Sequence, residues 1–124
     1  MILKQMPNYQ QALDHMFQAL ADPTRRAMVQ RLSRGPASVS ELAAPFDMSL
    51  PAVVQHLAVL QSSGLIQTHK SGRVRTCTLD VSALSQAEQW IHQRRTEWER
   101  KLDRLGDYLA ETETDPATQE RIKP

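Results

Sequence analysis

Two helix starts, at Ser38 and Ser49, constrain this chain more than any other feature of its sequence. Ser38-Val39-Ser40-Glu41 has the pattern of a capping box, in which the serine hydroxyl and the glutamate carboxylate each accept a hydrogen bond from a free amide. Pro45 then limits the length of the first helix. The second helix is predicted to run from its N-cap, Ser49, to about Ser62. A short helix, a turn and a longer helix form a helix-turn-helix, whose second helix can enter a DNA major groove.

The segment after these helices predicts a β-hairpin with a basic tip. Residues 65–70 and 74–79 are rich in β-branched side chains, and Ser71-Gly72-Arg73 between them is a glycine-containing turn. A helix-turn-helix followed by a basic hairpin is a winged helix, in which the hairpin holds cations beside the groove that the second helix occupies. The cations of this predicted wing are Lys70, Arg73 and Arg75.

Further helices are predicted on both sides of this module, near residues 9–20, from Asp22-Pro23 to about Ser33, and from about Ser82 onward. In the last helix, apolar residues recur every seven positions at Leu84, Ile91, Trp98 and Leu105, as in a helix–helix seam. Dimerisation is the favoured use of this seam, and packing within one chain is the alternative. The predicted fold is mostly α with a small β-hairpin, a winged helix-turn-helix (α-α-α-α-β-β-α) that is dimeric through its first and last helices. Residues 1–110 form this domain, and residues 111–124 are predicted to be a disordered C-terminal tail.

The distribution of charge indicates a polyanionic partner. The chain has 124 residues and a net charge of only +1. Between Pro23 and Leu79, however, seven residues are basic and two are acidic, whereas the rest of the chain is net acidic. A basic centre on a differently charged scaffold is typical of a nucleic-acid surface. Chance clustering of solvated charges is the alternative.

Several functional classes are disfavoured. No apolar run approaches the roughly 20 residues of a membrane span, and the N-terminus lacks a secretory apolar core, so a soluble cytoplasmic protein is expected. The single cysteine, Cys77, excludes a disulfide within one chain. The four histidines fall in no nucleophile or metal-dyad motif, and the chain lacks a glycine-rich phosphate loop. Neither an enzymatic activity nor a cofactor is predicted.

Four stretches combine into a specific pattern: FQALADPTRR (17–26), VSELA (39–43), SLPAVVQHLAVL (49–60) and SGLI (63–66). Over residues 17–79 the chain thereby resembles the ArsR/SmtB family of bacterial winged-helix repressors. The resemblance implies a homodimer that occupies an inverted repeat in its own promoter and leaves it when an effector binds. It also implies that residues 49–62 are the recognition helix.

Helical spacing predicts that Leu50, Val53, Leu57 and Leu60 form the inward stripe of this helix. It places Pro51, Gln55 and Ala58 on the outward face. Gln55 is the best candidate for reading a base, because its amide can pair with adenine through two hydrogen bonds, although it could also be a solvated surface residue. Ser40 and Ser49 can donate to phosphates, and Ser49 can equally cap the helix. The predicted DNA-binding residues are Ser40, Ser49, Pro51, Ala52, Gln55, His56, Lys70, Arg73 and Arg75.

Three positions leave alternatives open. His56 matches a histidine that is typical of the family, but it lies at the flank of the helix, where it could bond internally. Val54 and Ala58 stand where many relatives carry serine and a basic residue, which removes polar contacts with DNA. These two departures keep a second hypothesis alive, in which the winged helix has become a protein-interaction module without DNA binding.

The metal sites of the family are absent from the sequence. The third helix lacks the Cys-x-Cys pair that many relatives use for soft metals. In the last helix, Ser82 replaces the first zinc-binding histidine, and Arg95 stands where a ligand would follow His92. The remaining pair, Glu88 and His92, could supply two ligands but is interpreted as an exposed polar pair. No metal site is therefore predicted, and the effector is left unassigned.

Overall fold

The computed structural model describes the backbone of residues 2–113 and the side chains of residues 9–112. Within them, five helices and three strands follow in the order α1 (Ile2–Leu20), α2 (Pro23–Leu32), β1 (Ala37–Ser38), α3 (Val39–Ala43), α4 (Leu50–Ser62), β2 (Ile66–Ser71), β3 (Val74–Leu79) and α5 (Val81–Glu113). These elements form a mostly helical winged helix-turn-helix with a small antiparallel sheet, which confirms the predicted fold of the single chain. They divide into two units, residues 2–87 and 88–113.

The three predicted helix starts are confirmed. A carboxylate oxygen of Asp22 accepts from the Arg25 amide at 2.9 Å, ahead of α2. Both bonds of the capping box form before α3, where Ser38 Oγ accepts from the Glu41 amide and the Glu41 carboxylate accepts from the Ser38 amide. Ser49 Oγ accepts from the Ala52 amide at 3.3 Å, ahead of α4. These caps satisfy amides that have no partner within their own helix.

The strands form an antiparallel sheet in the order β1-β3-β2. The hairpin pairs Ile66 with Leu79 at its base and Ser71 with Val74 at its tip. Gly72 begins the two-residue turn at φ +62°, the conformation that a type II′ hairpin turn requires of its first residue. The sequence prediction omitted β1, because a strand of two residues has no periodicity and is defined by its pairing with β3.

One hydrophobic core unites the first unit. Side chains from α1, α2, α4 and the base of the hairpin are fully buried, among them Met16, Met28, Val53, Leu60 and Cys77. Burial of Val53, Leu57 and Leu60 confirms the predicted inward stripe of α4, with one exception. Leu50 was predicted to face inward but is 57% exposed, because it lies in the first turn of α4, where the helix faces the tip of the hairpin.

The second unit is the remainder of α5. From Ile91 onward its large apolar side chains are about half exposed or more, whereas Trp90 is 37% exposed and has Arg94 over its ring at 5.1 Å from the centroid. α5 is helical to Glu113 and thus continues three residues into the tail predicted for residues 111–124, of which residues 114–124 lie outside the described residues. Polar residues continue the helix without an apolar pattern, and Thr112 Oγ1 bonds back to the Tyr108 carbonyl at 2.9 Å.

The first helix is also longer than predicted. α1 begins at Ile2 rather than near residue 9, because Ile2 and Met6 continue the helical spacing toward the N-terminus, whereas the prediction rested on the apolar residues from Leu13 onward. None of the helices in the described part of the chain combines the length and the apolar character that crossing a membrane requires.

Candidate nucleic-acid interface

The recognition helix predicted from the sequence corresponds to α4. Its buried stripe anchors it to the core, which leaves the opposite face directed to solvent. Pro51, Gln55 and Ala58 are exposed on that face, as the helical spacing predicts. Ser49 is exposed at the start of the helix, and Ala52 is half-buried one turn later. The Ser49 hydroxyl accepts a bond as the N-cap but retains its own hydrogen, so it can still donate to a phosphate.

A cleft of about 370 Å³ opens between α4 and the hairpin and is termed the wing-side cleft. Its walls come from the start of α3, one flank of α4 and the tip of the hairpin. It brings together three of the predicted DNA-binding residues, Ser40, Arg73 and Arg75, although they are separated by more than thirty positions in the sequence. The residues that line the cleft are Ser38, Val39, Ser40, Leu50, Val54, Arg73, Val74 and Arg75.

Two cations of the wing face each other across the hairpin, and their repulsion lowers the stability of the hairpin on its own. Lys70 pairs directly with Arg75 across the two strands. Like charges at directly opposed positions destabilise a sheet, and an anion bound beside them would relieve that repulsion. Lys70, Arg73 and Arg75 are all exposed, and none of them forms an ion pair with another described residue. The wing therefore presents available positive charge to a polyanion.

Other basic residues of the central segment are engaged within the fold. Arg25 Nε donates to the Ala19 carbonyl and Arg26 Nη1 to the Leu20 carbonyl, both at 2.8 Å, so these cations satisfy the C-terminal end of α1. Arg31 lies 3.5 Å from the Glu41 carboxylate. Fewer cations are consequently available to a polyanion than the seven that the sequence indicated, and the available ones are concentrated at the wing.

His56 is held by a network within the protein. Its Nδ1 lies 3.2 Å from Arg25 Nη1 and 3.9 Å from the Asp22 carboxylate. Because a guanidinium can only donate hydrogen bonds, Nδ1 accepts and the ring proton resides on Nε2. One ring nitrogen of His56 is thus bonded within the protein, which is the internal alternative that the sequence left open, and Nε2–H is the donor that the ring retains.

Gln55 lies on the other flank of α4, away from the wing-side cleft. It borders a groove of about 280 Å³ between α1 and α4, to which α1 contributes His15 and Gln18. The structure thus distributes the predicted residues over two flanks of the recognition helix, with Gln55 on the α1 side and the wing cations on the other.

Leu50 and Val54 are cleft residues that the prediction did not include. Both belong to the flank of α4 that faces the hairpin, and both are exposed, at 57% and 43%. A helical projection of α4 could have found them, but only with the position of the wing already known. A smaller cavity of about 50 Å³ continues the same flank, where Gln61 of α4 meets Thr68 and Arg75 of the hairpin.

Three titratable groups outside the wing-side cleft have pKa values that the fold shifts. The Arg25 amide lowers the pKa of Asp22, and the Ser82 hydroxyl lowers the pKa of Asp80, since each donates to the ionised carboxylate. Burial raises the pKa of the Cys77 thiol, which is fully buried on β3. In the described part of the chain, no three histidine, cysteine or acidic side chains are grouped as metal ligands.

Comparison with known proteins places this module among regulators of transcription. A family profile described as "Helix-turn-helix domain" matches residues 20–69, which extend from the end of α1 into β2. The HTH-type transcriptional regulator Rv2034 of Mycobacterium tuberculosis is 47% identical over 72 residues, covering 58% of this chain and 67% of that protein. The transcriptional repressor SdpR of Bacillus subtilis is 28% identical over 79 residues, covering 64% and 88%. A crystal structure described as an ArsR family transcriptional regulator superposes with a TM-score of 0.70 at 53% identity, covering 73% of this chain and 93% of that one.

Proposed function

Since the chain belongs to the ArsR family of winged helix-turn-helix transcriptional regulators and is itself a DNA-binding regulator, we propose that it acts as a homodimeric repressor on an inverted repeat in its own promoter. The name of its relative SdpR, a transcriptional repressor, supports repression over activation. The relatives are named for transcriptional control, which gives no support to a winged helix without DNA binding. The proposal includes no enzymatic step or cofactor, and it places the protein in the cytoplasm with the DNA that it regulates.

The wing-side cleft is the observation that carries this proposal. It holds Arg73, Arg75 and Ser40 beside the exposed flank of α4, so that a helix in the major groove and a cationic wing can engage one duplex together. In this arrangement the wing cations neutralise phosphates of the DNA, and two hydroxyls donate hydrogen bonds to phosphate oxygens. The cations are Lys70, Arg73 and Arg75, and the hydroxyls belong to Ser40 and Ser49. Such contacts fix the position of the protein on DNA without reading the sequence.

Sequence reading is assigned to the outward face of α4. Gln55 is proposed to pair with an adenine edge through its amide. Pro51 and Ala52 lie in the first turn, where small or compact side chains let the helix approach the bases closely. His56 Nε2–H is proposed to donate to a phosphate while Nδ1 remains bonded to Arg25.

A homodimer would supply the two-fold symmetry of an inverted repeat. The second unit supports this part of the proposal, because α5 exposes apolar side chains at seam positions: Ile91, Trp98, Leu102, Leu105 and Leu109. A run of half-exposed apolar side chains on a regular helix indicates a protein interface. Two recognition helices in successive major grooves would read half-sites about one helical turn, or roughly 34 Å, apart. α1 is proposed to contribute to the same dimer.

Fluorescence anisotropy with DNA from upstream of the gene tests the base-reading role. Gln55→Ala is expected to cost about 1–3 kcal/mol on the operator and nothing on unrelated DNA of equal length, since only a base contact discriminates sequence. Gln93→Ala is the matched control, because Gln93 is an exposed glutamine on α5 outside the winged helix. Equal effects of the Gln55 substitution on both DNAs would contradict the assignment.

A further inference from the structure

The wing-side cleft contains three exposed apolar side chains that the phosphate contacts leave without a role: Leu50 and Val54 on α4, and Val74 on the hairpin. Leu50 and Val54 are one helical turn apart on α4, and both face the hairpin. Leu50 and Val54 are 57% and 43% exposed, whereas Val53, Leu57 and Leu60 on the core side of the same helix are buried. Both stand beside Arg73 and Arg75, on a surface that lies against DNA under the proposed function.

Their surroundings favour DNA over a protein partner. An apolar docking patch for a protein normally extends over at least roughly 300 Å² without interruption. Here Val39 and Val74 line the cleft together with the apolar pair, but the other four lining residues are two serines and two arginines, so the cleft combines a small apolar floor with cationic and hydroxyl groups. A DNA duplex complements both parts of the cleft. Its phosphates, which flank the major groove, match the arginines, and the thymine 5-methyl, the one apolar group of that groove, matches the apolar floor.

The geometry of the pair suits this group. A separation of four residues along an α-helix corresponds to about 6 Å of rise, close to the spacing of thymines one or two base pairs apart. Val54 is β-branched, and its χ1 is largely fixed in a helix, so little conformational freedom is lost when it packs against a methyl group. A hydroxyl or a charge at this position would gain no such contact.

We propose that Leu50 and Val54 read thymine methyl groups in each half-site, so that the operator carries thymines facing the wing-side flank of α4. This inference rests on the proposed function. Val54 then determines specificity through an apolar contact, since its side chain has no group that could form a hydrogen bond with a base. Val54 borders the wing-side cleft and Gln55 borders the groove on the α1 side, and the two residues therefore read different bases.

Replacing single thymines of the operator by deoxyuridine tests the proposal, because uracil pairs with adenine identically and lacks only the methyl group. For the wild-type protein, one such replacement is expected to lower the affinity about fourfold at one or two of the thymines in each half-site, which is the effect of burying one carbon less. Replacement of the same thymine in both half-sites is expected to lower the affinity about fifteenfold. Val54→Ala should bind the thymine operator more weakly and lose its sensitivity to uracil at one of those positions.

Val59→Ala is the matched control. Val59 is also an exposed valine of α4, at 38%, but it borders the groove on the α1 side. This variant should retain the uracil sensitivity of the wild type. The salt dependence of binding should be unchanged in Val54→Ala, since no phosphate contact is removed.

The possible results separate the inference from the function on which it rests. Specific operator binding that ignores uracil at every thymine would overturn the inference alone, and so would full uracil sensitivity at every position in Val54→Ala. Failure of the wild-type protein to prefer its operator over unrelated DNA would overturn the proposed function and this inference with it. Because the uracil scan of the wild type decides by itself, the test does not depend on the folding of a variant.

Discussion

Substitution of Trp98 tests whether the apolar seam of α5 holds a dimer together. Trp98 is 61% exposed within one chain, although a tryptophan is the most costly side chain to leave in water. From about 250 Å² for a whole tryptophan, about 150 Å² remains to be buried against a partner, equivalent to about 4 kcal/mol. A symmetric interface contains the residue twice. After allowance for incomplete burial and for the surface that alanine still covers, Trp98→Ala should cost about 5 kcal/mol, or several thousandfold in the dimer Kd.

Sedimentation velocity across nanomolar to micromolar protein concentrations measures this effect. The wild-type chain is expected to remain dimeric where Trp98→Ala sediments as a 14.1 kDa monomer. Trp90→Ala is the matched control: Trp90 belongs to the same helix, stacks with Arg94 and lies off the seam, so this variant should dimerise like the wild type. The reasoning is refuted if both tryptophan variants dissociate equally, or if Trp98→Ala dimerises with wild-type affinity.

Three further predictions concern the fold that supports the interface. Arg25→Ala should lower the free energy of unfolding by about 2 kcal/mol, since it removes charge-assisted bonds to the Ala19 carbonyl and to His56; a loss below about 0.5 kcal/mol in urea titration would contradict this. The Cys77 thiol should react with an aromatic disulfide reagent only after denaturation, because burial excludes the reagent and raises the thiol pKa, whereas stoichiometric labelling of the native protein would disprove it. Asp80→Asn should destabilise the protein at neutral pH. Because hydrogen bonding lowers the folded pKa of Asp80, this stabilisation is complete above the unfolded pKa and is lost as the pH falls through the folded pKa, so a difference that persists in strong acid would be inconsistent with the carboxylate's role.

The parts of the fold that depend on neighbouring residues could be predicted from the sequence. Caps are local, since Asp22, Ser38 and Ser49 each bond to an amide three residues ahead, and all three helices begin where the sequence indicated. The hairpin was also recognisable from its glycine turn and its two β-branched runs. The exposed face of α4 followed from helical spacing alone.

The parts that depend on tertiary contacts could not be predicted. The bond between Arg25 and His56 joins residues 31 positions apart, and only the packing of α2 against α4 brings them together. Leu50 was assigned to the core because its spacing fits the apolar stripe, but the hairpin, which folds back from far along the chain, places it in an open cleft. For the same reason the sequence could not indicate that Gln55 and the wing cations would lie on different flanks of the recognition helix.

The salt dependence of binding to DNA from upstream of the gene tests the central claim most directly, which is that the wing-side cleft grips a duplex. Each arginine that neutralises a phosphate contributes about 0.9 to the slope of log K against log salt concentration, and a dimer has two wings. Replacing both Arg73 and Arg75 by glutamine should therefore reduce the slope by about 3.6, whereas Arg34→Gln, an exposed arginine outside the cleft, should leave it unchanged. A slope equal to that of the wild type in the double variant, or no binding of the wild type to this DNA, would contradict the account.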